Sequence, residues 1–301
     1  MLLGKNLILW GIKYMSKIDQ IDFVTVVYKR VIYAKLIHES IKKYVNYPYT
    51  YYIVNNGDNT ENSLELKKLN ELFKNEPNVV IVKGIQQVNQ DDGSIVPSRS
   101  DGIHGKYPLE YYIKNYGFDG YTKYDKRGVG FGSWLQSEGM SIGTKKGNGK
   151  YVCQIEHDVV FLNSWVDYVL PLLEKNVFVS YSWRHDIDQA LTPQFSIVKR
   201  ETIENNYYKE KGDLYPNCHY KDTYGLLSLW ARENNLPFII LPNSTNNPSL
   251  KSKHGLNFIH GDEGFINNIP YLHHAGRGSA RPQNIADEWV KSVSNYLNIK
   301  I

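Results

Sequence analysis

The sequence predicts an α/β fold built on a mixed, mostly parallel sheet. Two observations carry this prediction. The run Phe23-Val24-Thr25-Val26-Val27-Tyr28 is β-rich and apolar throughout, as expected of a strand buried on both faces. Two further runs, Tyr51-Tyr52-Ile53-Val54 and Val79-Val80-Ile81-Val82, alternate with segments of helical apolar spacing. The first of those segments carries Val31, Ala34, Leu36, Ile37 and Ile41, the second Leu64, Leu66, Leu69, Leu72 and Phe73. A β-α-β-α-β order implies right-handed crossovers and parallel strands, as in nucleotide-binding half-domains.

Each later element follows from its own pattern. From Gly84 to Gly132 no period is sustained, and a stretch that long without structure of its own reads as a functional flap. Its tyrosines, including Tyr107, Tyr111, Tyr112, Tyr116, Tyr121 and Tyr124, crowd this segment with aromatic faces. A helix carrying Trp134, Leu135, Met140 and Ile142 comes next, with Ser133 as its expected N-cap. After the turn at residues 145–150, Tyr151-Val152-Cys153-Gln154-Ile155 is another buried strand. Helices are predicted at 165–173, 224–234 and 285–296, and strands at 177–181, 195–198 and 238–241. The segment 243–264 reads as loop. The expected organisation is an N-terminal extension (1–21), a single α/β domain (22–243, with the irregular loop 84–132 inserted) and a C-terminal loop and helix (244–301).

Composition excludes several classes. A length of 301 residues with 42% apolar and 22% charged residues describes a globular chain. A net charge of +4 is too small and too dispersed for a nucleic-acid binder. Two cysteines, Cys153 and Cys218, cannot form a disulfide framework, which suits a reducing cytoplasm. The apolar run Leu7-Ile8-Leu9-Trp10-Gly11-Ile12 falls far short of the roughly 20 residues of a spanning helix. It also lacks a signal cleavage site, leaving peripheral membrane contact as its one membrane role. The 24 tyrosines, beside abundant Asn and Lys, read mainly as the coding bias of an AT-rich genome.

Glu156-His157-Asp158 carries the most chemistry. Two carboxylates at i and i+2, just past a buried strand, stand where open α/β sheets bind ligands. Burying them is costly unless they are solvated or neutralised, and a hard divalent cation, Mn²⁺ or Mg²⁺, neutralises them while keeping sites for phosphate oxygens.

These residues, in this order, resemble the GT-A glycosyltransferases, particularly the inverting family 2-like group. Val24 to Tyr28 is similar to that family's first strand, Ile53-Val54-Asn55-Asn56-Gly57-Asp58 to its strand ending in acids and amides, and Tyr151 to Asp158 to its Asp-x-Asp strand. The resemblance spans about residues 22–243 and leaves the 84–132 loop unmatched. It implies a nucleoside diphosphate sugar donor, a glycan or other hydroxyl acceptor, and a divalent cation. Val27, Tyr28, Asn55, Asn56 and Asp58 would contact the donor nucleotide, and Glu156 and Asp158 would hold the metal. Lys221-Asp222 before the 224–234 helix is similar to the family's general base, which makes Asp222 the residue that deprotonates the acceptor. The competing reading of Asp222 is a helix N-terminal acid favoured by the macrodipole. The chain departs from the pattern at Asn55, where an Asp is commoner, at Glu156, one methylene longer than Asp, and at Lys221, where an acid is usual.

Several placements stay open. His157 faces either the donor sugar or the packing beneath it. Of His273-His274 one completes the metal shell, with His274 preferred, or both pack beneath the last helix. Asp262-Glu263 is a rival acid pair, and Arg277 and Arg281 could neutralise the leaving diphosphate. Gly128-Val129-Gly130-Phe131-Gly132-Ser133 lacks the Gly-Lys-Ser/Thr of a P-loop, but its glycines and the N-terminus of the helix at Ser133 could face the diphosphate. The expected function is metal-dependent, inverting glycosyl transfer. The alternatives are a non-catalytic sugar or nucleotide binder of the same fold and a sugar nucleotidyltransferase.

Overall fold

A computed structural model of the chain describes residues 17–57, 63–89, 95–99, 131–181, 183–184, 190–191, 194–207, 225–250, 261–276 and 282–300. In chain order the elements are β1 (Ile18–Val27), α1 (Val31–Tyr44), β2 (Tyr49–Asn55), α2 (Leu64–Phe73), β3 (Val79–Lys83), β4 (Ile85–Asn89) and β5 (Ile95–Arg99). Next come α3 (Phe131–Lys146), β6 (Gly149–Ile155), β7 (Val159–Phe161), α4 (Val166–Leu172), β8 (Phe178–Ser180), β9 (Trp183–Arg184), β10 (Ala190–Leu191) and β11 (Phe195–Lys199). The rest are a π-helical turn (Thr202–Tyr207), α5 (Gly225–Glu233), β12 (Ile239–Ile240), a 3-10 turn (Pro248–Leu250), β13 (Asp262–Ile266), β14 (Ile269–His274) and α6 (Gln283–Leu297).

The central sheet has seven strands in the order β12-β8-β11-β6-β1-β2-β3. Every neighbouring pair is parallel except those made by β11, which runs against both β6 and β8. The sheet is thus the mixed, mostly parallel one expected. Alternation along each strand feeds two cores. Phe23, Val27, Tyr51, Ile53 and Cys153 face a layer that includes Ala34 and Ile37 of α1 and Val169 of α4. Val24, Val26, Tyr52 and Val54 face Met140 and Ile142 of α3 and Leu227 and Trp230 of α5. With both faces covered, these strands read as continuous apolar runs.

Helix α3 lies close on its sheet face because of two glycines a turn apart. A Cβ on Gly143 would stand 2.5 Å from Val24 Cγ1, and one on Gly139 2.8 Å from Val26 Cγ2. A third core joins Tyr33 and Leu36 of α1 to Val160 and to Trp289 and Val293 of α6. The C-terminal segment is therefore built into the fold through a three-stranded sheet of order β13-β14-β7. Its hairpin turns at Asn267-Asn268, both left-handed at φ 51° and 64°, as a two-residue I′ turn requires.

Several boundaries differ from the sequence reading. β1 begins at Ile18, inside the expected N-terminal extension. Helix α3 begins at Phe131, so Ser133 stands in its first turn and is not the cap. The irregular 84–132 segment contains an antiparallel pair, β4 with β5, between Ile85 and Arg99. The segment expected to be loop holds β13, whose short run with an internal glycine offers little periodic signal.

Candidate metal and donor site

The carboxyl ends of β1, β2 and β6 lie side by side. Val27 pairs with Asn55, and Val24 pairs with Gln154, so Glu156 leaves the sheet two residues beyond that level. Backbone bonds fasten this edge: Asn56 N–H donates to Val27 C=O at 2.9 Å, and Gly84 N–H to Asn55 C=O at 2.9 Å. The Thr25 hydroxyl donates to Ile155 C=O at 2.8 Å, tying β1 to the last residue of β6. These bonds hold the Glu156-His157-Asp158 corner, where the chain leaves β6, in one place.

Asp158 is buried with 1% exposure. Its burial is tolerated because His274 Nε2 lies 3.5 Å from Asp158 Oδ1 and 3.1 Å from Glu156 Oε2. β14 brings that imidazole in: His274 pairs with Val159, and Ala275 N–H donates to Asp158 C=O at 2.9 Å. Burial opposes a charge on His274, but the Asp158 and Glu156 carboxylates outweigh it and push its pKa up to about 9. Asp262, across the hairpin from His274, adds to that field.

One ligand atom from each of Glu156, Asp158 and His274 falls within 4.8 Å of the others. Two carboxylate oxygens and one imidazole nitrogen suit Mn²⁺ better than the oxygen-preferring Mg²⁺, and leave further positions for phosphate oxygens. The residues fit a divalent cation. A second cluster of suitable residues, His38, Glu39 and Glu76, does not, because Lys35 and Lys42 already lie 2.8–3.1 Å from its carboxylates.

The two histidines separate by strand alternation. His274 turns to the carboxylates, whereas His273 stacks on Trp289 of α6, ring centroids 6.5 Å apart. His157 likewise turns away from the acids that flank it and stacks on Tyr33 at 5.8 Å. Of the rival acids, Asp262 and Glu263 lie on β13 opposite His274 and His273 and are not part of the three-residue cluster.

Asn55 and Asn56 are both buried at the end of β2. Asn55 Oδ1 accepts from Gly57 N–H at 3.0 Å, which shapes the turn after the strand. Tyr28 is half-buried at the end of β1, and Lys29 behind it holds a left-handed backbone, φ 67°, with its ammonium 4.9 Å from the Tyr28 ring. A non-glycine residue held in the left-handed region is a recurrent feature of functional sites. Asp58, Asp222, Lys221, Arg277 and Arg281 lie outside the described residues, and of Ser133 only the helical backbone is described.

Sequence reasoning missed Gln136. From the second turn of α3 its Nε2 donates to Glu156 Oε1 at 3.2 Å. The contact joins elements twenty residues apart and leaves no local sequence signal.

No protein-family model matches the chain, and neither does any curated protein sequence. Solved structures do. The glycosyltransferase GlyE of Streptococcus pneumoniae TIGR4 matches at 11% identity and TM-score 0.46, over 93% of this chain and 62% of its own. The mannosyltransferase PcManGT from Pyrobaculum calidifontis, solved with GDP-Man and Mn²⁺, matches at 10% identity and TM-score 0.42, over 74% of this chain and 54% of its own. The galactosyltransferase LgtC, solved with donor and acceptor sugar analogues, matches at 10% identity and TM-score 0.47, over 92% of this chain and 95% of its own. The chain thus spans less than two thirds of the length of the first two. All three of these solved structures are glycosyltransferases, and the likeness is a distant one of overall fold.

Proposed function

We propose that this protein is a metal-dependent glycosyltransferase that moves a sugar from a nucleoside diphosphate sugar to the hydroxyl of a glycan or similar acceptor. The observation that supports this reading is the Glu156, Asp158 and His274 cluster at the carboxyl end of β6, beside the amide-bearing end of β2. Glu156, Asp158 and His274 would hold the cation, Mn²⁺ or Mg²⁺. When bound, the cation supplies positive charge against the leaving diphosphate. Val27, Tyr28, Asn55, Asn56 and Asp58 would receive the nucleotide, with the Asn55 amide hydrogen-bonding the base where an acid is commoner. Ser133, in the first turn of α3, would stand near the diphosphate.

Asp222 would take the proton of the acceptor hydroxyl as that oxygen attacks the anomeric carbon. The new carbon–oxygen bond forms as the bond to the diphosphate breaks on the opposite face, so the anomeric centre inverts. The buried, unpaired Cys153 thiol fits work in a reducing cytoplasm. No helix among the described residues is long and apolar enough to cross a membrane.

Calorimetry with Mn²⁺ and a panel including UDP and GDP tests the binding half of the proposal. Asp158→Ala is expected to weaken cation-dependent nucleotide binding, and both Asp158→Ala and Asp222→Asn to abolish transfer. Wild-type transfer rates in either variant overturn its assignment. Nucleotide binding with no diphosphate release on any acceptor marks a binder instead of an enzyme.

A further inference from the structure

Behind the carboxylates, on the side away from the cation site, four rings form one continuous stack. His157 lies against Tyr33 at 5.8 Å and 24°, Tyr33 meets Trp289 edge-on at 4.7 Å and 66°, and Trp289 lies against His273 at 6.5 Å and 27°. The two ends of this stack are not arbitrary positions. His157 separates Glu156 from Asp158, and His273 immediately precedes His274. On β14, alternation sends the His274 side chain toward the carboxylates and the His273 ring to the other side. In the turn at 156–158 the His157 ring stacks on Tyr33, and its two neighbours supply ligand atoms. Tyr33 of α1 and Trp289 of α6 therefore grip, from behind, both segments that carry the three ligand atoms.

The composition of the stack is costly for mere packing. His157 Nε2 and Trp289 Nε1 are buried with no hydrogen-bond partner. A buried unpaired donor or acceptor costs about 1–3 kcal/mol, and plain phenyl rings would avoid it. Aromatic pairs in such geometries hold orientation as well as area.

We infer that Trp289, acting with Tyr33, is a positioning residue for the cation: the stack sets the separation between the Glu156-Asp158 corner and His274. The inference rests on the metal reading above and deepens it, making the C-terminal helix α6 part of the metal-binding unit although it supplies no ligand. Partners that hydrogen-bond and orient metal ligands typically change affinity by about 10–100-fold, and the lower end of that range sets the scale for support one residue removed.

The test is Mn²⁺ affinity and the electron paramagnetic resonance signal of bound Mn²⁺, read on the full-length chain without any transfer assay. Trp289→Leu and His157→Leu are each expected to weaken Mn²⁺ about tenfold and to broaden the bound signal, at a temperature where circular dichroism shows the protein folded. Trp289→Phe, which keeps a ring there, is expected to restore affinity to within about twofold of wild type. A folded Trp289→Leu protein that binds Mn²⁺ as wild type does overturns the positioning role and leaves the metal reading intact. If Trp289→Leu does not fold, unchanged affinity in His157→Leu overturns it equally. A wild-type chain that binds no Mn²⁺ overturns the metal reading and this inference together.

Discussion

Arg200 and Asp22 form a buried ion pair, Nη2 to Oδ2 at 2.7 Å, at the end of the sheet opposite the cation site. Every polar arm of the pair is used. Arg200 Nε donates to Gly149 C=O and Nη1 to Thr144 C=O, both at 2.8 Å, and Asp22 accepts from Gly149 N–H at 2.7 Å and Gln20 Nε2 at 2.8 Å. One guanidinium thereby joins β1, β6, β11 and the end of α3.

Because removing one partner strands the other charge in the core, Arg200→Met is expected to lose about 3–5 kcal/mol of stability. The double variant Asp22→Asn/Arg200→Met should recover part of that loss, since no unpaired charge remains. Urea denaturation measures both. The folded fraction of either protein should bind Mn²⁺ as wild type does, because Asp22 lies about 16 Å along β1 from Val27. A loss under about 1 kcal/mol in Arg200→Met contradicts the network's role.

Gln136 compensates for the length of Glu156. An Asp at that position would stop short, whereas the longer side chain reaches both the Gln136 amide at 3.2 Å and the His274 imidazole at 3.1 Å. The amide holds one carboxylate oxygen and leaves the other facing the cluster. Gln136→Ala is expected to weaken Mn²⁺ binding about tenfold with little change in melting temperature. Gln136→Asn, a methylene shorter, should behave like the alanine variant. Isothermal titration decides it: wild-type affinity in Gln136→Ala removes the residue from the site.

The unequal legibility of these features has a physical origin. The strands carrying Val27, Asn55 and Ile155 were readable because burial on both faces leaves continuous apolar runs, and the acids stood out by interrupting one. Helix α6 was readable because only one of its faces is buried. Gln136, Tyr33 and Trp289 were not, since their roles are contacts between elements remote in sequence. The β13–β14 hairpin was hidden by its own composition. Asn267-Asn268 is a turn signal, but in an asparagine-rich chain it does not stand out. Ser133 misled because its residue type suits a cap, whereas the helix had already begun at Phe131.

Acid should destabilise the protein through His38, well away from the cation site. Its ring lies parallel to Tyr51 at 5.8 Å and against the edge of Phe73 at 5.7 Å, with the Tyr49 hydroxyl 3.2 Å from Nε2. Burial drives its pKa down to about 4; Glu76 and Glu39 oppose that drop, while Lys42 and Lys35 reinforce it. A group whose pKa is lower folded than unfolded leaves stability intact above its unfolded value and takes it away as pH falls. The loss from His38 therefore begins near 6.5 and grows to about 3 kcal/mol by pH 4. Glu39 and Glu76 act in the same direction but lower. Burial would raise their pKa values, yet the bonds from Lys35 and Lys42 hold both below the usual carboxylate value of 4.5. His274, with its pKa raised to about 9, contributes stability that grows as pH falls toward 6.5, but does so equally in wild type and His38→Phe. Between 6.5 and 4.5 the difference between the two proteins consequently isolates His38. Measured at pH 7, 6 and 5, the denaturation free energy of wild type should fall relative to that of the variant, the difference tracking the uptake of one proton by the unfolded chain. Parallel pH profiles in the two proteins would mean that the buried imidazole is not the source of the acid sensitivity.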